Sequence, residues 1–247
     1  MYRLDQALVD RALCESREKA KRAILAGQVR VNHQTAAKAS DSVRETDEIS
    51  VEAPDPFVSR GGYKLDHALT HFELNPAGLT VIDLGASTGG FTDCLLQRGA
   101  ERVFAVDVGR GQLAWKLRKD RRVVVMEKTN ARHLTPATFG PDFSLADWIV
   151  ADCSFISLRK ILPPAIALLR SSGRIIALVK PQFEAGKAEA DRGRGVITDP
   201  EIHARVLREL KGFVSQTGGL IWQGETESPL LGPAGNKEFL ILLEKAA

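Results

Sequence analysis

The sequence has no long apolar run. The longest, such as Ile175-Ile176-Ala177-Leu178-Val179, falls far short of the roughly 18–20 residues a helix needs to cross a bilayer. A helical membrane protein is therefore excluded. The opening Met1-Tyr2-Arg3-Leu4-Asp5 carries no apolar signal-peptide core. Cysteine is scarce: Cys14, Cys94 and Cys153 make neither a metal-ligand spacing nor an even disulfide framework. These absences point to a reducing cytoplasm and to no metal site. A dominant charge is lacking too, since 34 basic residues face 31 acidic ones, a net +3. That balance names no ligand; only its distribution can. There is no internal repeat and no low-complexity tract, and nothing marks an obligate protein partner. What is present is 247 residues, 44% hydrophobic and 26% charged, enough to pack one large domain or an ordinary one plus a small one.

The segment Glu52-Ala53-Pro54-Asp55-Pro56-Phe57-Val58-Ser59-Arg60-Gly61-Gly62 holds two prolines and a glycine pair. Proline forces its predecessor into extended conformations, and glycines cost entropy in regular elements. The pattern predicts a linker at 54–61 between domains at 1–53 and 62–247. In the first, the spacing from Arg3 to Leu13 suits an amphipathic helix. Ser16 is placed to cap a second helix that buries Ala20, Ala23, Ile24 and Leu25 and stops at Gly27. Short strands are expected at Val29–Asn32 and Asp47–Val51. From Glu15 to Lys38 six basic residues face two acidic ones; from Ala39 to Asp55 six acidic residues face one basic. A helix face carrying Arg17, Lys19, Lys21 and Arg22 offers cations to phosphates, or is simply a solvated face.

The string Arg3-Leu4-Asp5-x-x-Leu8, Ser16-Arg17-x-x-Ala20, Gly27-x-Val29-x-Val31-Asn32 and Asp47-x-Ile49-x-Val51 resembles the small α+β RNA-binding domain of ribosomal protein S-four. The resemblance implies that Arg3, Arg17, Lys19, Lys21, Arg22 and Arg30 contact RNA, with Arg60 beyond them.

Beyond the linker, apolar runs alternate with helical patterns. Strands are expected at 80–84, 102–106, 123–126, 148–151, 174–179, 220–225 and 238–243. Helices are expected at 90–98, 112–119, 157–170 and from Asp199-Pro200 onward. Continuous β-rich runs mark strands buried on both faces, as in a parallel sheet. The last two strands are close enough for an antiparallel edge pair.

The first of these strands ends in Asp83-Leu84-Gly85-Ala86-Ser87-Thr88-Gly89-Gly90-Phe91. A glycine-rich strand-to-helix turn lets backbone approach a ligand. The dinucleotide pattern G-x-G-x-x-G is absent. Asp107 ends the second strand, 22 residues after Gly85, where a carboxylate can accept from both ribose hydroxyls; Asn130, after the third, is placed for an adenine edge. These spacings resemble methyltransferases that use S-adenosylmethionine. The resemblance implies a Rossmann-like α/β fold with a mostly parallel seven-stranded sheet and an antiparallel edge strand. It also implies a cofactor site of Asp83, Gly85, Ser87, Gly89, Gly90, Phe91, Asp107, Asn130 and Asp152.

Asp152 follows the fourth strand, Lys180 ends the fifth, Glu238 opens the last, and Lys64 opens the helix before the first. A ribose hydroxyl is a very weak acid. A lysine whose ammonium is disfavoured by burial or by a second cation can accept its proton near neutrality, while carboxylates orient such lysines and oppose that shift. Together these four resemble the Lys-Asp-Lys-Glu tetrad of FtsJ-type ribose 2′-O-methyltransferases. The TlyA-type family resembles the whole chain, through Ser-Arg-Gly-Gly-x-Lys-Leu, Ala-Asp-Cys-Ser-Phe-Ile-Ser-Leu, Val-Lys-Pro-Gln-Phe-Glu and Gly-Asn-x-Glu-Phe. The implied activity is methylation of cytidine 2′-hydroxyls in ribosomal RNA of one or both subunits. Lys180 is implied as the hydroxyl activator, Asp152 and Lys64 as its orienting partners, and Glu238 as completing the network.

Other readings are weaker. Cys153 lacks the preceding proline of cytosine-ring methyltransferases and reads as an inert buried thiol. Asp152-Cys153-Ser154-Phe155 lacks both prolines of the base-amine methyltransferase motif. His67 and His71 share a helix face but have no third metal ligand. Glu184–Gly195 reads as a mobile lid or a plain solvated loop. Competing functions are a non-catalytic RNA-binding or ribosome-assembly protein and a membrane-lytic hemolysin.

Overall fold

The computed structural model describes residues 1–53, 55–186, 189, 191 and 193–246. It divides into two compact units, Met1–Pro56 and Phe57–Ala247. Part of the expected linker (Pro54) and of the expected lid (187, 188, 190 and 192) lies outside the described residues.

In the first unit, α1 (Leu4–Asp10) and α2 (Arg17–Leu25) bury Leu4, Leu8, Ala20, Ala23 and Ile24 against Val29, Val43 and Ile49. Short antiparallel strands complete it. β1 (Tyr2–Arg3) pairs with β4 (Ser42–Val43), and β2 (Val29–Val31) lies between β3 (Gln34–Thr35) and β5 (Ile49–Val51). Ser16 caps α2 as its side chain requires, accepting from the Lys19 N–H at 3.3 Å; Gly27, at φ +71°, follows the helix end. Two expectations fail here. α1 stops at Asp10 rather than near Leu13, because Ala12 turns to φ +57° while the Arg11 guanidinium binds the carbonyls of Arg44, Glu45 and Asp47. Leu25 is not core: it is 82% exposed, on the opposite face of α2 from Ala20 and Ile24.

The second unit is a three-layer α/β/α sandwich. Its strands are β6 (Thr80–Leu84), β7 (Arg102–Val106), β8 (Val123–Met126), β9 (Ala146–Ala151), β10 (Leu169–Val179), β11 (Leu220–Glu227) and β12 (Phe239–Lys245). Their spatial order is β11-β12-β10-β9-β6-β7-β8. The five strands from β10 to β8 run parallel, while β12 is antiparallel to both β10 and β11. The antiparallel pair therefore forms one edge of the sheet, with the reversed strand lying inside β11.

Strand residues alternate between two cores, as a period of two requires. Ile82, Ile149, Ile175 and Ala177 join one with α6 (Leu162–Ile166) and α8 (Pro200–Thr217). Val81, Val103, Val150 and Ile176 join the other with α3 (Gly61–His71), α4 (Gly90–Gln97) and α5 (Trp115–Arg118). A short α7 (Pro181–Glu184) follows β10. Asp199 caps α8 through the Glu201 N–H, with Pro200 in its first turn.

The expected helix at 157–170 is instead a 3-10 turn (Leu158–Lys160) followed by α6 alone. Pro163 and Pro164 supply no N–H to a continuing ladder, so they suit only a helix start. β10 correspondingly begins at Leu169, five residues earlier than expected, with a register shift before Arg174. The expected 112–119 helix shrinks to α5.

Candidate active site

In open α/β sheets ligands bind at the carboxyl ends of parallel strands. Asp107 follows β7, Asp152 follows β9 and Lys180 follows β10. The reversal of β12 adds a fourth group to this edge: Phe239 pairs with Val179, so Glu238, just before it, emerges beside Lys180.

Two close backbone approaches shape the site. Gly85 sits at φ +82°, and a Cβ there would lie 2.8 Å from the Asp152 carbonyl oxygen. Only glycine lets the turn after β6 press against the turn after β9. A Cβ on Gly90 would lie 2.3 Å from Ser59 Oγ and 2.8 Å from the Gly62 nitrogen. The start of α4 therefore abuts the start of α3, and Lys64, in the first turn of α3, is carried to the sheet edge.

The four polar residues pair two by two. Lys180 Nζ lies 2.6 Å from Asp152 Oδ1 and donates to Ser154 Oγ at 2.8 Å. Lys64 Nζ donates to Glu238 Oε2 at 2.5 Å. Lys64, Lys180 and Glu238 are only 6%, 9% and 1% exposed. The other Glu238 oxygen, Oε1, has no hydrogen-bond partner among the described residues. Lys64 is thus paired with Glu238 rather than with Lys180, which the resemblance implies it orients.

All four line one cavity of about 650 Å³, together with Gly85, Ser87, Gly90 and Phe91. A second cavity of about 430 Å³ is lined by Asp107, Gln112, Asn130 and Arg132. The two share Gly85, Ser87, Asp152, Ser154 and Phe155, so they meet at the turns after β6 and β9. Asp107 is fixed by backbone donors, from Ser87 at 2.8 Å and Gly109 at 2.6 Å. Asn130 Oδ1 caps the following 3-10 turn through the Arg132 N–H.

Asp83 and Gly89 line neither cavity. Asp83 is fully buried and accepts from Thr92 Oγ1 at 2.7 Å, bracing α4 on β6. Burial, aided by the nearby Asp152 charge, raises its pKa from 3.8 to about 7 against the lowering effect of the Thr92 bond. A carboxyl raised in this way contributes stability that is full below its unfolded value and is lost as pH rises through about 7. Asp83→Asn is therefore expected to raise the melting temperature of the cofactor-free protein relative to wild type more at pH 8 than at pH 4. An equal difference at the two pH values in thermal melts would refute this.

Three positioning residues escaped the sequence reading. Ser154 binds Lys180. Glu184 accepts from Ser157 Oγ (2.7 Å) and the Leu158 N–H (2.6 Å), tying the segment after Asp152 to the segment after Lys180. Asn236 is buried and bonds Ile197 and Gly195, fixing the loop that carries Glu238. Each stood inside a quoted motif, but the signal for its role is a contact between distant segments. Cys153 lines the second cavity; burial pushes its pKa up to about 12, and its Sγ faces the Leu84 carbonyl.

The FtsJ-like methyltransferase family matches residues 57–245, the unit that holds this site. The chain belongs to that family. It is a methyltransferase, and an S4 domain matches residues 3–49 ahead of the catalytic unit. A Bacillus subtilis protein named as an rRNA methyltransferase is 48% identical, over 98% of this chain and 85% of its own. The 16S/23S rRNA (cytidine-2′-O)-methyltransferase TlyA of Mycobacterium tuberculosis is 45% identical, over 98% and 89%. A solved structure of a hemolysin-named Streptococcus thermophilus protein is 42% identical, covers 99% of this chain and 88% of its own, and superposes with a TM-score of 0.76.

The cations of the S4 unit are largely engaged. Asp5 is fully buried and is clamped by Arg3 at 3.0 Å and Arg17 at 2.9 Å; the Arg3 hydrogen bond leads in lowering its pKa to about 2. Lys19 pairs with Glu15, Arg22 with Glu18 (2.7 Å) and Arg30 with Glu52. Lys21 of this unit, and Arg60 of the second unit, form no ion pair among the described residues and are exposed. Among the described residues no helix is long and apolar enough to cross a membrane.

Proposed function

We propose that this chain transfers a methyl group from S-adenosylmethionine to a ribose 2′-hydroxyl, that of a cytidine, in ribosomal RNA of the small subunit, the large subunit or both. The observation that carries the proposal is the junction of the two cavities at Asp152 and Ser154, with the Lys180–Asp152 and Lys64–Glu238 pairs in the larger one.

The fit to the cofactor is chemical. The smaller cavity offers the Asp107 carboxylate for ribose hydroxyls and Asn130 for an adenine edge. Gly85 leaves the backbone bare where the cavities meet, and Ser87, Gly90 and Phe91 continue the wall. S-adenosylmethionine supplies an electrophilic methyl on sulfur, which a nucleophile takes by in-line displacement. The residues of this chain do the rest. Lys180 is held by Asp152 and Ser154 where it can bind the acceptor oxygen and receive or steer its proton. The Lys64–Glu238 pair forms the facing wall, and the unpaired Glu238 oxygen is an acceptor for a ribose hydroxyl. Holding oxygen and methyl in line supplies much of the rate.

RNA capture falls to the S4 unit. Lys21, Lys19, Arg22 and Arg30 are the phosphate contacts, because exposed ion pairs with Glu15, Glu18 and Glu52 are weak enough to exchange for phosphate. Arg3 and Arg17 keep half-exposed side chains while holding Asp5, and Arg60 lies at the rim of the larger cavity. A substrate assembled in the cytoplasm places the protein there.

The test is incubation with labelled S-adenosylmethionine and protein-free ribosomal RNA or isolated subunits, followed by mapping of 2′-O-methyl positions. Label in a cytidine ribose is the expected result. Label on a base, or none on any RNA, would overturn the proposal.

A further inference from the structure

We propose that Trp115 and the cations around it form a stacking site, on the methyltransferase unit itself, for an unpaired nucleobase of the RNA substrate. This rests on the reading that RNA is the substrate.

Trp115 opens α5 and is 68% exposed, whereas Trp148 is buried in β9 and Trp222 is half-buried in β11. The backbone around it is packed against the glycine turn. Leu113 and Leu117 pack on the glycine turn so closely that a Cβ on Gly89 would lie 2.8 Å and 2.2 Å from them. The Ala114 N–H donates to the Thr88 carbonyl at 3.1 Å, and Thr88 lines the larger cavity. The indole is the next residue, so it follows directly on a segment bonded to the cavity wall while most of its own surface stays in solvent.

A lone exposed apolar side chain needs no explanation. Here the charge around it does. Residues 98–132 hold ten basic and four acidic side chains. Some are spent within the fold: Arg98 on Asp66, Lys116 on Asp93, Arg118 on Glu127 and Arg122 on Asp120. Arg110, Lys119, Arg121 and Lys128 are exposed and form no ion pair among the described residues. Lys119 Nζ lies 4.7 Å from the indole centroid. An exposed aromatic ring with a cation over it, in a stretch rich in unpaired basic side chains, has the chemistry of single-stranded nucleic-acid grooves, where a base stacks and phosphates meet the cations. A duplex leaves no base face free to stack, so the occupant is a looped or bulged nucleotide flanking the target.

The experiment uses the full chain, titrated with protein-free ribosomal RNA while tryptophan fluorescence, RNA affinity, S-adenosylmethionine affinity and methyl transfer are all followed. RNA should quench the wild-type signal, and Trp115→Phe should lose most of that quench while keeping most of the affinity. Trp115→Ala should weaken RNA binding about tenfold and leave S-adenosylmethionine affinity unchanged. Wild-type RNA affinity in Trp115→Ala overturns the proposal. An equal loss of cofactor affinity also overturns it, since Trp115 is then a brace of the glycine turn. A signal that changes with protein concentration in the absence of RNA overturns it as well, because the face is then a contact between copies. The two readings separate cleanly. If the wild type transfers no methyl to RNA while the Trp115 effect on binding persists, the substrate reading falls and the stacking site stands. If both proteins bind and methylate RNA alike, the stacking site alone falls.

Discussion

Lys180→Ala lowers methyl transfer to ribosomal RNA by about a hundredfold to ten-thousandfold, the range typical of a lost acid–base group. The affinity for S-adenosylmethionine stays within a few-fold of wild type. The asymmetry follows from the cavities. Lys180 lines only the larger one, while its partners Asp152 and Ser154 line both. Removing the ammonium therefore strips the acceptor side and leaves the Asp107 and Asn130 side intact. Lys180→Arg should not rescue the rate. Its planar fork and longer reach cannot reproduce one nitrogen held 2.6 Å from Asp152 and 2.8 Å from Ser154. Ser154→Ala removes one of those two anchors and should cost less, about tenfold. Single-turnover transfer with labelled donor, alongside calorimetric cofactor binding, measures both effects. A wild-type rate in Lys180→Ala would end Lys180's assignment, and a parallel loss of cofactor affinity would move it from the acceptor to the cofactor.

How much of this was legible beforehand depended on how local each signal was. The alternation of β-rich runs with helical stretches located the strands, because burial on both faces leaves a mark within a few residues. The positions of the Asp-x-Gly turn, Asp107, Asp152 and Lys180 are legible for the same reason, since each stands directly after a strand, whereas Asn130 lies four residues beyond β8. The pairing of the tetrad was not. Lys64 meets Glu238 across 174 positions of sequence, and the reversal of β12 beside β10 brings that glutamate to the carboxyl-end edge of the sheet. Asp83 is a related case. It sits in the motif, yet its side chain turns to Thr92 and away from both cavities, and strand position alone does not say which way a buried carboxylate is satisfied. In the S4 unit, charge counting found the basic helix but not its partners. Arg3 and Arg17 read as phosphate contacts until the buried Asp5 between them shows that both also hold the unit together. Proline chemistry is equally local: Pro163-Pro164 sit in the first turn of α6, and the expected end of that helix belongs to β10.

The Lys64–Glu238 pair allows stability to be separated from chemistry. Each partner is nearly inaccessible, so removing one strands the other charge without water. Glu238→Ala is expected to destabilise the methyltransferase unit by about 3–5 kcal/mol, a fall in melting temperature on the order of 10 °C. Lys64→Ala should cost a comparable amount, leaving a buried carboxylate whose Oε1 already lacks a partner. The double variant Lys64→Met/Glu238→Leu removes both charges and fills the space with apolar side chains, so it should recover most of the lost stability. If the pair serves only the fold, methyl transfer recovers along with stability. If it forms the wall that holds the ribose, transfer stays at the level of the single variants although the protein melts like wild type. Thermal melts and single-turnover rates on wild type, the two single variants and the double variant decide between the two. The second outcome is expected, because a pair kept for stability alone gains little over an apolar contact of the same volume, whereas a charged acceptor facing a ribose hydroxyl has no apolar substitute.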